Sequence, residues 1–157
     1  MLIPARLISL YDAGVSLLQQ GASLPPLLAR ITIGEVFITS GWAKLHNLPQ
    51  IVDYFRSLNI PQPEIQAPFA AGSELVFGAL VLVGLFTRIS AIPLMVIMTV
   101  AILTAKWAEL TGVDALFGFI EYLYIVLLFW LLVAGPGFFS LDRLLLKLRP
   151  LLTREGK

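Results

Sequence analysis

Three glutamates, Glu35, Glu74 and Glu121, stand inside apolar runs of helical length, and Lys44 follows the first of them on the same run. An ionised carboxylate in hydrocarbon is disfavoured by at least ~2.5–3.5 kcal/mol, so each needs a proton, a cationic partner or a wet pocket. A carboxylate so placed can take up and release protons for a ligand beside it. The residues that could do this chemistry are Glu35, Trp42, Lys44, Glu74, Glu121 and Tyr122, for ligand binding or proton relay, with Arg30 and Arg88 as structural charges. The plainer alternative neutralises each glutamate singly, by a proton or a tyrosine hydroxyl, for packing alone. Trp42, Lys44 and His46 equally suit interfacial anchoring and snorkelling.

Other chemistries are closed to the chain itself. It has no cysteine, so a CxxC redox pair, thiolate metal ligation and structural disulfides are excluded. Its one histidine, His46, cannot form a bis-histidine haem site, and no metal site is expected. Met95 and Met98 read as packing rather than copper ligands. No intrinsic cofactor is expected; a bound quinone or lipid is the candidate ligand.

These residues must be positioned by membrane helices. Of 157 residues 58% are hydrophobic and 13% charged, and the mean hydropathy is +0.88, more apolar surface than a soluble domain could cover. The expected fold is all-α, an integral membrane four-helix bundle with amphipathic interfacial helices at both ends. Its spans fall at about 27–45, 67–87, 89–105 and 115–134. They form one region, 25–135, between an N-terminal interfacial segment, 1–24, and a basic amphipathic tail, 136–157.

In the first segment Leu7, Leu10, Tyr11, Gly14, Leu17 and Leu18 recur at helical spacing, and Pro25-Pro26 breaks the chain before the first span. Within that span Thr32, Glu35, Thr39 and Trp42 share a face, which is expected to look into the bundle. The connection Leu48–Pro68 carries an apolar stripe, Ile51, Val52, Phe55 and Leu58, and should lie on the membrane or partly re-enter it, a placement from which a loop can lid a pocket. Ile60-Pro61-Gln62-Pro63 is expected to run extended. Small residues Ala67, Ala71, Gly72, Gly78 and Gly84 should let a neighbour approach the second span, and the third should bend near Pro93. In the tail, Leu141, Leu144, Leu145 and Leu148 lie opposite Arg143 and Lys147, a pattern suited to anionic headgroups.

Orientation follows from the basic residues. With four spans, Arg6, Arg30, Arg88, Arg143, Lys147, Arg149, Arg154 and Lys157 fall on one side, which makes it the cytoplasmic one. At ~1.5 Å per residue Glu35 then lies ~14 Å below Lys44, Glu74 ~10 Å below Ala67 and Glu121 ~9 Å below Ala115. The expectation is one shared polar pocket in the outer half, beneath Lys44 and Lys106.

Two motifs carry a family resemblance. Arg30-x-x-x-Gly-x-x-Phe-x-x-Ser-Gly-x-x-Lys-Leu in the first span, then Glu74-Leu-x-x-Gly-Ala-Leu-x-Leu-x-Gly-Leu-x-Thr-Arg88 in the second, resemble the DoxX family of small bacterial membrane proteins. The resemblance covers roughly Ala29 to Leu132 and implies a four-helix bundle in the bacterial inner membrane. It puts Glu35, Lys44, Glu74 and Arg88 at the family's characteristic polar positions; Glu121 rests on depth alone. Some relatives are named as subunits of a thiosulfate:quinone oxidoreductase, others are associated with redox-defence complexes, and similar proteins accompany operons for metal-handling peptides.

The resulting expectation is a membrane subunit of a redox-associated complex, with a glutamate-lined pocket for a small lipophilic or quinone-like ligand and no redox cofactor of its own. Alternatives are a non-enzymatic membrane anchor or assembly factor, then a proton-coupled transporter, which would have to dimerise to build an alternating-access path. Expected partners are the lipid bilayer, a redox or other membrane-associated protein, and a second copy of the chain; nucleic acid is not expected at a net charge of +1. Topology is directly testable: reporters fused at Met1 and Lys157 should report cytoplasm, and one in the 48–66 connection the outer side. The opposite pattern would overturn the depth assignment.

Overall fold

A computed structural model describes residues 5–152. Expectations for Met1–Pro4, Arg154 and Lys157 lie outside the described residues, as do those for the side chains of Leu7, Leu10, Leu17 and Arg149. The described chain is all-helical: α1 Ala5–Gln20, α2 Leu24–His46, α3 Leu48–Ser57, α4 Pro63–Val83 and α5 Thr87–Thr104. A single 3-10 turn, Trp107–Glu109, precedes α6 Val113–Gly118, α7 Ile120–Ala134 and α8 Leu141–Leu152. Two helices, α4 and α5, are long and apolar enough to cross a membrane by themselves. Helix α2 is longer, but carries Arg30, Glu35 and Lys44; α7, with 15 residues, reaches only ~22 Å.

Proline marks the starts. It occupies the first turn of α2, α3 and α4, where its missing N–H would have had no helical partner. The Pro25-Pro26 pair therefore belongs to α2 itself, and the break falls just before it, at 21–23. The chain between α3 and α4 is a tight turn with Asn59 and Gln62 at positive φ, rather than the extended run expected there. Accordingly α4 begins at Pro63 and stops at Gly84, whose φ of +72° closes the helix, earlier at both ends than the expected 67–87. The expected fourth span, 115–134, is interrupted at Phe119, which is extended and separates α6 from α7. Pro68 and Pro93 lie inside α4 and α5.

The helices α2, α4, α5 and α7 pack in sequence, α2 on α4, α4 on α5, α5 on α7 and α7 back on α2. Their core holds Ile33, Phe37, Val81, Ala91, Leu94, Leu128 and Leu131, with Met95 and Met98 packed against it. The α2–α4 seam is the closest of these contacts. A Cβ on Gly34 would stand 2.5 Å from Leu82 Cβ, one on Gly41 2.6 Å from Leu75 N, and one on Gly78 2.8 Å from Phe37 Cβ. Backbone-to-backbone approach of this kind is how membrane helices associate without a hydrophobic driving force. The contacts pair 34 with 82 and 41 with 75, so α2 and α4 are antiparallel.

The amphipathic connection is short and helical. In α3 the expected stripe Ile51, Val52, Phe55 and Leu58 is half-buried while Asp53 and Arg56 face outward, and the helix rests on α4. Arg56 links it to α4, bonded to Asp53 at 2.5 Å and to Glu64 of α4 at 2.6 Å, an exposed network that solvent screens.

The seam makes a sharp prediction. Gly34→Leu or Gly78→Leu should force α2 and α4 apart and destabilise the protein in detergent by about 1–3 kcal/mol or more. Gly72→Ala, at a glycine with nothing within 4 Å, should melt like the wild type or slightly higher.

Candidate functional site

The antiparallel seam brings two of the candidate residues together. Ser40 and Lys44 lie one turn apart on α2, on the side that meets Glu74 of α4. Lys44 Nζ donates to Glu74 Oε1 at 2.5 Å and Oε2 at 2.8 Å, and Ser40 Oγ donates to Oε2 at 2.8 Å. The carboxylate is 1% exposed and the lysine side chain 30% exposed. One end of the pair is therefore sealed in the helix interface, and the other reaches the surface. Ser40 was not singled out as a polar partner from the sequence, although its spacing from Lys44 on a helix face was the signal.

The other two glutamates do not join this pair. Glu35 is level with the 78–82 stretch of α4, more than two turns of α2 away from Lys44, and its side chain is exposed. Thr32, Thr39 and Trp42 are exposed with it, so the polar face expected to look into the bundle looks outward. The reason is that Ala29, Ile33, Gly34, Phe37 and Gly41 form the inward stripe, and small residues win that position because α4 approaches so closely. Trp42 packs against His46 in a tilted pair with ring centroids 4.3 Å apart. Glu121 is half-buried in the first turn of α7, and the Tyr122 ring lies 5.4 Å from that of Phe117.

Lys106 takes another partner than expected. It pairs with Glu109 at 3.1 Å, and its pKa is held above the ordinary value by that hydrogen bond and charge first, with Glu121 adding at longer range. The shared three-glutamate pocket is thus replaced by one tight pair, Lys44 with Glu74, and two separate carboxylates.

A second polar cluster closes the opposite end of α4. Arg30 is 1% exposed; its Nη2 donates to Phe139 O, while Nε and Nη1 are buried without a partner among the described residues. A side chain on Gly84 would collide with that guanidinium. Asp142, from the start of α8, accepts from Phe86 N at 2.8 Å and Thr87 N at 3.2 Å, capping α5 across 55 residues of sequence. Its own N–H donates to Gly84 O at 2.9 Å. Arg88 is exposed and lies against Gly135, lining an open groove of about 1020 Å³ with Phe86, Ile89, Arg143 and Leu146. A smaller cleft of about 400 Å³ lies between α3 and the start of α4, beside Asp53, Glu64 and Pro68. Among the described residues no three His, Asp or Glu side chains converge as a metal set would require.

Two helices long and apolar enough to cross a membrane, with α2 joined to one of them by a lysine–glutamate pair, fit a helical membrane protein, and the comparisons with known proteins agree. The DoxX family model matches residues 26–107, and the model of the thiosulfate:quinone oxidoreductase small subunit DoxD matches residues 69–151. The chain belongs to the DoxX family. It is 34% identical to the Mycobacterium tuberculosis membrane protein Rv3486, over 78% of this chain and 83% of that one. It is 35% identical to the Escherichia coli inner membrane protein YphA, over 78% and 93% of the two chains. It is also 30% identical to the Bacillus subtilis protein named "Putative oxidoreductase CatD", over 77% and 87%. No solved structure matches it significantly.

The pair can be tested by leaving one partner behind. Lys44→Met should strand the Glu74 carboxylate and cost about 3 kcal/mol of stability, the low end for a buried pair because Lys44 is partly exposed. Lys44→Met combined with Glu74→Leu should recover most of that loss in a double-mutant cycle. Additive losses would show that the two side chains are not coupled.

Proposed function

We propose that the chain is the membrane subunit of a redox-associated complex, crossing the inner membrane four times with both ends in the cytoplasm. In this reading the Lys44–Glu74–Ser40 cluster is the place where a small lipophilic, quinone-like ligand meets its proton source. The observation that carries the reading is the asymmetry of the pair: a carboxylate sealed between α2 and α4 holds an ammonium that is still 30% exposed. Reduction of a quinone to a quinol takes two electrons and two protons. A chain without cysteine takes the electrons from a partner protein. Lys44 delivers a proton to the reduced oxygen and regains one from water, while Glu74 holds the ammonium in place through its two hydrogen bonds. The DoxD family description and the oxidoreductase name of the Bacillus relative support a redox association.

A second reading has its own support. Glu74 accepts three hydrogen bonds that all come from α2, as a structural clamp would, and an anchor or assembly factor needs no more than that. The two readings separate on purification. Under the first, the wild-type protein carries extractable quinone or a redox flavoprotein. Glu74→Gln, which keeps the shape and loses only about 1–2 kcal/mol of stability, should lower that ligand or partner-linked activity at least about tenfold. A stoichiometric non-redox partner with no quinone, unchanged in Glu74→Gln, would replace the redox reading by the anchor.

A further inference from the structure

We propose that a second copy of this chain covers the outward face of α2, with Glu35 at the centre of a two-fold helix pair. The exposed residues on that face are Leu28, Thr32, Glu35, Thr39, Trp42 and His46. Their spacing, four, three, four, three, four, is the 3.5-residue repeat of a left-handed two-helix seam, and it runs the length of the helix. The outward faces of the other long helices differ. They present Ile65, Phe69 and Val76 on α4, Ile89, Ile92 and Val96 on α5, and Leu123, Val126 and Phe129 on α7, all suited to lipid chains. Glu35 has no ion-pair or hydrogen-bond partner for its carboxylate among the described residues, and hydrocarbon supplies none.

Membrane insertion selects the occupant. Two copies of one chain enter the bilayer with the same orientation, so a two-fold axis along the membrane normal sets every seam residue opposite its own counterpart at the same depth. Glu35 then meets its own counterpart at the axis, where a hydrogen bond joins the two carboxyl groups. Thr39 already donates to Glu35 O at 2.9 Å and Val36 O at 3.1 Å on its own helix, which leaves its oxygen free to accept across the seam. Thr32 and Thr39 flank the carboxyl pair by one turn on either side, small enough to let the helices close on it. Because this surface is separate from Glu74, the pairing stands or falls independently of the redox reading.

The absence of cysteine makes the test direct. Single variants Thr32→Cys and Thr39→Cys of the full chain, in native membranes with copper phenanthroline as oxidant, should crosslink into dimers. Phe69→Cys on α4 and Val96→Cys on α5 should not. In the Thr39→Cys background, Glu35→Ala should slow crosslinking at least about tenfold, the scale of one or two interhelical hydrogen bonds, while Glu35→Gln should keep it because amides pair across the same axis. Melting of the Glu35→Ala protein in detergent close to wild type shows that the loss is one of association. Equal crosslinking at Thr39 and Val96, no effect of Glu35→Ala in a folded protein, or capture of Thr39→Cys by a different polypeptide would each overturn the second copy as occupant.

Discussion

A carboxylate sealed between two helices constrains everything around it. Glu74 can stay there only if donors reach it from α2, which requires Ser40 and Lys44 on the facing turn and a register that keeps them level. The register in turn needs the helices close, and the glycines at 34, 41 and 78 provide the approach. With α2 and α4 locked, the outward direction of every other α2 side chain is set. The exposure of Glu35 and Trp42 is therefore a consequence of the clamp rather than a separate choice.

The opposite end of the pair is held by a different device. Arg30 is buried beside Gly84 and tied to the backbone at Phe139, while Asp142 caps the start of α5 and bonds back to Gly84. One glycine thus serves three elements. Its positive φ ends α4, its missing side chain admits the guanidinium, and its carbonyl receives α8. The α2–α4 pair is consequently polar at both ends and apolar between them, an arrangement that fixes depth in a bilayer as well as register.

The two charged devices differ in what they leave exposed. Around Glu74 both carboxylate oxygens accept hydrogen bonds, and Lys44, the cation that holds it, remains partly exposed. Around Arg30 two buried nitrogens lack partners among the described residues, and the residue is 1% exposed. The separate carboxylate of Glu35 belongs to neither, and its polar, heptad-spaced face distinguishes α2 from its lipid-like neighbours.

The sequence by itself determined the helical, membrane-suited character of the chain and the family. Those follow from local quantities: apolar run length, charge scarcity and the spacing of glycine, serine and lysine in two motifs. The amphipathic stripe of α3 was legible for the same reason, since a period of 3.6 shows in ten residues. What only the tertiary structure decided was pairing. Three glutamates at similar estimated depth looked like one pocket, but depth measures distance along a helix and says nothing of the angle around it. The close α2–α4 approach gave the inward angle to Gly34, Phe37 and Gly41, turned Glu35 outward, and left Lys44 within reach of Glu74 alone. The Asp142 cap was likewise invisible, because a carboxylate 55 residues away in the chain can satisfy a helix start only once the fold has carried it there.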